Sequence, residues 1–303
     1  MIERFRQGKL VWVNMKNPTI EEVQQIMLSL DISPSLMTDL TTFVPKNTVV
    51  RFDDIIKITL DFPVIKRLEM GHEYEIKFLV SKNFLVTVHY EEMSSIDRFK
   101  RQFEVASTLH KKRKGYTGAH LFMSLFVNLY DSALAKLDYV ETKLTEIEAD
   151  IFKDNEKQMV YEISRVSKQL ISFRHTLHSH EDVLLEMSQQ FEDVFKDTFA
   201  KELHTIRGQF RLLQHKANAQ FETMTALRET NGAMLTTKQN EVIKTLTILA
   251  FITFPLTLFS SVFGMNTEAT PIIGMPFDFW IIVGCMIFAA TSFFIFFKKK
   301  GWM

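Results

Sequence analysis

Small, polar and aromatic side chains recur on one face of an otherwise apolar stretch near the C-terminus. Their spacings of three, four and seven residues place them on one side of a helix; they are Asn240, Ile243, Ala250, Phe254, Thr257 and Ser261. Such a face suits either packing against copies of itself around an axis or lining a path for water. Gly264-Met265-Asn266 follows closely and carries only neutral groups. A turn explains the glycine, but it requires neither the thioether nor the amide.

A second group of side chains with ligand chemistry lies near the middle of the chain. His178 and Asp182 are four residues apart and His175 lies one turn earlier, so a helix presents all three on one side. Imidazole and carboxylate groups are zinc ligands. His180 points elsewhere. The simpler interpretation of His175, His178 and Asp182 is a solvated helix surface, and a metal site is the secondary hypothesis.

Two uncharged runs of 19 residues, Thr245–Phe263 and Phe279–Phe297, dominate the C-terminal part. At about 1.5 Å per residue, a helix of either run crosses a hydrocarbon core of ~30 Å. A buried core helix is the alternative for one run alone, but two in tandem favour membrane spans. We predict a transmembrane domain over residues 241–303, with spans at about 241–263 and 279–297 and an outer loop at about 264–278.

Lysines flank these spans on one side only. Lys238 and Lys244 precede the first span and Lys298, Lys299 and Lys300 follow the second, whereas the loop has neither Lys nor Arg. The positive-inside rule therefore places both termini in the cytosol and the loop outside. The first thirty residues contain no apolar signal segment. We expect a multi-pass protein of the inner or plasma membrane with most of its mass in the cytosol.

The overall composition argues against several functions. Lys plus Arg and Asp plus Glu are balanced at 36 each, which disfavours a nucleic-acid partner, and the basic run His110–Gly115 is most simply a solvated helix end. The single cysteine, Cys285, excludes an internal disulfide and fits a reducing compartment. We find no nucleophile–base arrangement and predict that the protein is not an enzyme.

Residues 1–118 have the pattern of an α/β domain. A strand at Leu10–Val13 is followed by a capping box, Thr19 to Glu22, that starts a helix. The segments Ile76–Val80 and Phe84–His89 have strand-like sequences on either side of a turn at Ser81–Asn83. This pattern predicts a hairpin.

Residues 119–240 show no strand pattern and predict a helical bundle and stalk. A break at Asp154–Asn155 separates the first two helices. A third helix begins at about Ala200, with an apolar seam at spacings of three and four. Since no proline occurs before Pro255 and Gly232 is the one weak point, we expect a single helix of about sixty residues that continues into the first span.

Several segments together resemble the CorA family of magnesium transporters. They are the Gly264-Met265-Asn266 tripeptide, the span NEVIKTLTILAFITFPLTLF, the ending KKKGWM, the early WVN segment, the FLVSKNFLVTVH hairpin and the FRHTLHSHEDVLLEM helix. The resemblance covers the whole chain. It implies a funnel-shaped homopentamer with an α/β cytosolic domain, a long stalk helix, an inner ring of first spans and an outer ring of second spans in contact with membrane lipid.

The resemblance also implies roles for particular residues. The pore face would comprise Asn240, Ile243, Leu246, Ala250, Phe254, Thr257 and Ser261, with Gly264, Met265, Asn266 and Glu268 at the outer mouth. Mg²⁺ keeps its octahedral waters, so a ring of amide oxygens would hold the hydrated ion through those waters, weakly enough to release it. Ile243, Leu246 and Phe254 would form hydrophobic constrictions that close the pore by dewetting.

Two features depart from the family pattern. Met275-Pro276 is followed by Phe277 where an acid is common, and the expected regulatory carboxylates near Pro63–Leu68 and Thr205 are missing. Mg²⁺ is therefore expected as the transported ion and as a regulator whose site the sequence does not assign.

We predict passive uptake of Mg²⁺, with Co²⁺ or Ni²⁺ as further substrates, driven by the membrane potential. A proton-coupled or zinc-transporting member of the same superfamily is the nearest alternative. A non-conducting, membrane-anchored helical scaffold is the alternative from a different class of protein.

Overall fold

The computed structural model describes residues 1–33, 36–41, 47–63, 73–109, 116–153, 155–196, 199–266 and 272–302. Internal contacts divide the chain into two units, Met1–Arg228 and Glu229–Met303.

The first unit contains a six-stranded mixed sheet. Its strands are β1 (Ile2–Gln7), β2 (Leu10–Lys16), β3 (Thr48–Phe52), β4 (Ile55–Pro63), β5 (Glu73–Val80) and β6 (Phe84–His89). The order across the sheet is β1-β2-β6-β5-β4-β3. The pair β2 and β6 is parallel and the other neighbours are antiparallel.

Seven helices are present among the described residues. They are α1 (Ile20–Ser29), α2 (Met37–Thr41), α3 (Ser94–Leu109), α4 (Gly118–Ile151), α5 (Glu156–Phe195), α6 (Ala200–Phe263) and α7 (Asp278–Lys299), and four of them follow α3 in sequence. After β6, every element of the described residues is helical. The predicted fold class, an N-terminal α/β domain followed by long helices and two apolar C-terminal helices, is confirmed.

The capping box and the hairpin form as predicted. The backbone N–H of Glu22 donates to Thr19 Oγ1 and the N–H of Thr19 donates to the Glu22 carboxylate, which starts α1. The N–H of Ser81 donates to the carbonyl of Phe84 at 3.0 Å and closes the β5–β6 hairpin. Two sheet-edge strands, β1 and β3, were not predicted from the sequence.

Both faces of the sheet are covered. One face packs against α1 and α2 through a core that includes Val13, Met15, Val23, Ile26 and Val88. The other face carries aromatic contacts to the later helices, such as Phe78 with Phe122 of α4 at 5.2 Å between ring centroids.

Helix α4 begins in close contact with the hairpin. The N–H of Gly118 donates to the carbonyl of Lys82 at 3.0 Å, and a Cβ at residue 118 would lie 2.1 Å from the carbonyl oxygen of Phe84. Only glycine permits this approach. The β5–β6 turn is thereby fixed against the first turn of α4.

Helix α6 begins at Ala200, as predicted, and runs for 64 residues through Gly232 and Pro255. It starts in the first unit and ends in the second. The break between α4 and α5 also occurs where predicted, since α4 ends at Ile151 and α5 begins at Glu156; Asp154 lies outside the described residues.

Candidate functional site

Two helices of the described chain are long and apolar enough to cross a membrane, the last part of α6 and the whole of α7. Their most apolar windows have mean hydropathies of 2.0 and 2.3, and at most 6% of either window is buried inside the protein. A core helix of a soluble protein would be mostly buried. The apolar surfaces of these helices therefore need an environment outside the single chain.

One face of the membrane part of α6 contacts the end of α7. The rings of Phe251 and Phe297 are 6.2 Å apart between centroids, and Lys244 Nζ donates to the carbonyl of Gly301 at 3.2 Å. Ile248 lies between Lys244 and Phe251 on this face and is 5% exposed. We call Lys244, Ile248 and Phe251 the α7-contact face.

All seven residues predicted to line a pore are exposed: Asn240, Ile243, Leu246, Ala250, Phe254, Thr257 and Ser261. At 3.6 residues per turn, six of them are about 120–180° around the helix axis from Ile248. Asn240 is the exception, because it lies about 80° from Ile248 and about 20° from Phe251, on the α7-contact side. Phe254 is 74% exposed although it is a large aromatic residue. We call the six residues other than Asn240 the open face of α6.

Threonine hydroxyl groups in this part of α6 are turned back onto their own helix. Thr247 Oγ1 donates to the carbonyl of Ile243 at 2.7 Å, and Thr257 Oγ1 donates to the carbonyl of Thr253 at 2.9 Å. With its proton so engaged, a hydroxyl offers oxygen lone pairs to its surroundings. On the open face, the oxygen of Thr257 is therefore available as a hydrogen-bond acceptor.

Pro255 lies within α6 without ending it. Proline lacks the N–H that would bond the carbonyl four residues earlier, that of Phe251. Because Pro255 is about 20° around the axis from Ile248, it belongs to the α7-contact side.

Gly264, Met265 and Asn266 directly follow the end of α6 at Phe263. The N–H of Gly264 donates to the carbonyl of Ser260 at 3.0 Å, and that of Met265 to the carbonyl of Val262 at 3.4 Å. A Cβ at Gly264 would lie 3.2 Å from the Ser260 carbonyl oxygen, so glycine allows the tight closure of the last turn. The side chains of Met265 and Asn266 are exposed.

The loop beyond this tripeptide is described in part. Glu268 lies outside the described residues. Asp278 accepts hydrogen bonds from the N–H groups of Gly274 and Phe279, at 3.1 and 2.7 Å, and so organises the start of α7. This contact assigns Asp278 a structural role.

The histidine-rich segment of α5 is where a metal site was the secondary hypothesis. His175, His178 and Asp182 are exposed, and no cluster of three or more His, Cys, Asp or Glu side chains occurs among the described residues. His180 points away from these three residues, as predicted, and is fully buried: its Nδ1 faces the hydroxyl of Tyr130 at 2.9 Å, and its Nε2 faces the carbonyl of Asp61 at 2.6 Å.

Burial lowers the pKa of His180 to about 4, although the hydrogen bond to the Asp61 carbonyl acts in the opposite direction. A carbonyl only accepts, so Nε2 carries the proton and Nδ1 accepts from the hydroxyl of Tyr130. His180 thus joins α5 to α4 and to the sheet as a neutral side chain. The sequence alone gave no signal for these partners.

Comparison with known proteins identifies the family. A family model described as "CorA-like Mg2+ transporter protein" matches residues 7–299 of this chain. The chain belongs to this CorA-like family.

Individual CorA proteins are similar along most of their length. The cobalt/magnesium transport protein CorA of Thermotoga maritima is 23% identical over 306 residues, covering 96% of this chain and 83% of the relative. The relative of the same name from Methanocaldococcus jannaschii is 21% identical over 316 residues, with coverages of 99% and 93%. The solved structure of the complete CorA magnesium transporter from M. jannaschii matches with a TM-score of 0.84 at 19% identity, over 99% of this chain and 93% of that one. The chain therefore has the CorA fold from end to end.

Proposed function

We propose that the protein takes up Mg²⁺ passively through a pore formed by five copies of the chain. Family membership supports divalent-cation transport. The observation that carries the proposal is the open face of α6, which is exposed in one chain and lies about 120–180° around the helix from Ile248, the one buried residue between Thr245 and Phe263. Packing several first spans around an axis would cover the sides of this face and leave its centre in contact with water.

The outer mouth is proposed to select the hydrated ion. Gly264 closes the last turn of α6, and the exposed carboxamide of Asn266 follows directly. Mg²⁺ binds through its waters more readily than it loses them, and neutral amide oxygens accept hydrogen bonds from those waters. Rings without fixed charge bind the ion weakly enough for it to leave. We assign Glu268 the accessory role of concentrating cations at this mouth.

The membrane potential supplies the driving force in this proposal. A divalent cation that enters an inside-negative cell gains about 4.6 kcal/mol per 100 mV. The two spans contain no Asp, Glu or His between Thr245 and Phe263 or between Phe279 and Phe297. A proton relay within the membrane would need such groups, so the composition favours a channel over proton coupling.

We further propose that residues 1–118 and 119–240 are cytosolic, that residues 241–303 form the membrane domain, and that both termini face the cytosol. Mg²⁺ is also proposed as a cytosolic regulator. Thr205, at the expected stalk position, is exposed and donates its hydroxyl to the carbonyl of Lys201 at 3.0 Å. Since it offers no carboxylate, we assign no residue to the regulatory site.

The test is ion flux into proteoliposomes that contain the full chain or the Asn266→Ala variant. Mg²⁺, Co²⁺, Ni²⁺ and Zn²⁺ are compared at controlled voltage and pH. We expect Mg²⁺ entry that rises with inside-negative voltage, does not respond to a pH gradient, and falls by about tenfold or more in Asn266→Ala, because each of several copies loses a hydrogen-bond acceptor.

Asn218→Ala, the same substitution in the first unit, is the matched control and should transport normally. Entry that follows the pH gradient would support a proton-coupled transporter, and preference for Zn²⁺ would support the zinc alternative. Absence of flux in wild type, with correct assembly, would favour the scaffold.

A further inference from the structure

The chain folds back on itself after α7. Lys300 caps the helix, and Gly301 has a left-handed φ of 69°, which glycine adopts without strain. The N–H of Gly301 donates to the carbonyl of Lys298 at 3.2 Å and that of Trp302 to the carbonyl of Phe297 at 3.1 Å. The end of α7 is therefore an ordered turn.

This turn brings cations of both helices together with an aromatic surface. Trp302 packs on Phe297 at 5.8 Å between ring centroids, and Lys244 of α6 donates to the carbonyl of Gly301 at 3.2 Å. Lys300 Nζ lies 5.7 Å from the centre of the Phe296 ring. We call Lys244, Phe296, Lys300, Gly301 and Trp302 the C-terminal patch.

The charge around the patch is strongly positive. The segments 238–244 and 298–302 contain five lysines and one acid, Glu241. Lys244 uses one of its three N–H groups on Gly301 and keeps two for another acceptor. Phe296 and Trp302 are 53% and 43% exposed beside these ammonium groups.

We propose that the C-terminal patch binds the headgroup of an anionic phospholipid. The lysines would hold the phosphate, and the exposed rings would contact the glycerol and the first part of the acyl chains, which a free phosphate ion does not have. Aromatic and basic side chains at the end of a span are suited to this interface. The choice of the cytosolic leaflet rests on the proposed orientation, but the site itself does not depend on ion conduction.

The experiment uses the full chain, delipidated in a neutral detergent and titrated with phosphatidylglycerol or phosphatidylcholine of identical acyl chains. Bound lipid is counted by native mass spectrometry. We expect preferential retention of phosphatidylglycerol and a fall in its affinity of about fivefold in each of Lys244→Gln and Lys300→Gln. Lys244→Arg keeps the charge and should retain the lipid.

Lys157→Gln removes one exposed lysine from α5 and serves as the charge-matched control. Equal retention of the two lipids, or an effect of Lys157→Gln as large as that of Lys300→Gln, would overturn the proposal. So would displacement of phosphatidylglycerol by millimolar inorganic phosphate, which would indicate a site for free anions. Size-exclusion chromatography of every variant separates loss of lipid from loss of assembly, and the result is independent of whether Mg²⁺ flux is found.

Discussion

The hydroxyl of Tyr130 in α4 donates to Nδ1 of His180 in α5 at a distance of 2.9 Å, in a place where both side chains are fully buried. The ring of Phe210 in α6 stacks on His180 at 6.4 Å between centroids. One neutral imidazole therefore connects the three long helices and, through the Asp61 carbonyl, the sheet.

This arrangement predicts how stability depends on pH. The pKa of His180 is lowered to about 4 in the folded protein, against about 6.5 in an unfolded chain. Between those values the unfolded state binds more protons, so stability falls as the pH decreases from about 6.5 to 4, by about 3 kcal/mol in total. In His180→Gln this component disappears. Thermal unfolding followed by circular dichroism measures it. A dependence of stability on pH between 4 and 6.5 that is the same in wild type and His180→Gln would refute the assignment.

Gly118 predicts a steric effect on folding. A Cβ there would meet the Phe84 carbonyl oxygen at 2.1 Å, so Gly118→Ala should destabilise the first unit by about 3 kcal/mol. Gly208→Ala in α6 is the matched control, because a Cβ at that position meets nothing within 4 Å. It should be neutral or stabilising by up to about 1 kcal/mol. Denaturant titration of both variants gives the comparison, and similar midpoints would argue against the close contact.

Removal of the Thr257 hydroxyl is expected to reduce Mg²⁺ transport moderately. Its hydroxyl proton is used within α6, so the side chain would serve a hydrated cation as an acceptor. Thr257→Val keeps the shape and removes the oxygen, and Mg²⁺ flux should fall about two- to tenfold. Ser292→Ala removes a hydroxyl from α7, where Ser292 donates to the carbonyl of Phe288 at 2.8 Å, and should leave flux unchanged. Equal effects in both variants would place Thr257 outside the pathway.

Substitution of Phe254 is expected to raise Mg²⁺ flux, in contrast to substitution of Thr257. It is 74% exposed on the open face, where a ring of such side chains would exclude water from a narrow pore. Phe254→Ala should therefore raise Mg²⁺ flux several-fold when cytosolic Mg²⁺ is high. Phe294→Ala, at a 46% exposed position in α7, provides the control. Reduced flux in a correctly assembled Phe254→Ala protein would contradict a hydrophobic constriction.

Local patterns in the sequence were sufficient for most of the helical architecture. The start of α6 at Ala200 and its passage through Pro255 follow from periodicity and from the lack of earlier breakers. The capping box at Thr19 and the turn at Ser81 depend on residues a few positions apart, so their signals are local as well.

Features that depend on distant residues could not be predicted in this way. Strand β1 alternates between partly buried and exposed residues, and β3 is a five-residue strand at the opposite sheet edge. Both gain their stability from pairing with a neighbouring strand. The partners of His180 come from residues 50 and 119 positions away. The contact between Lys244 and Gly301 spans 57 positions, and only the packing of the end of α7 against α6 brings those residues together.

The candidate site was predicted in part. Periodicity identified most of the open face, and the structure leaves all of its residues exposed. Asn240 lies on the α7-contact side instead, because the predicted positions average about 3.5 residues apart and so drift around a helix of 3.6 residues per turn. The roles of Gly264, Met265, Asn266 and Glu268 in ion selection remain predictions for the flux measurements.

The open face of α6 also has a genetic consequence. In the proposed assembly no single chain encloses the pore, since each chain contributes only one of the five helices that line it. When intact and defective genes are expressed together, most complexes would contain at least one defective subunit. Such alleles should therefore behave as dominant, and the loss of transport should exceed the proportion of defective protein made.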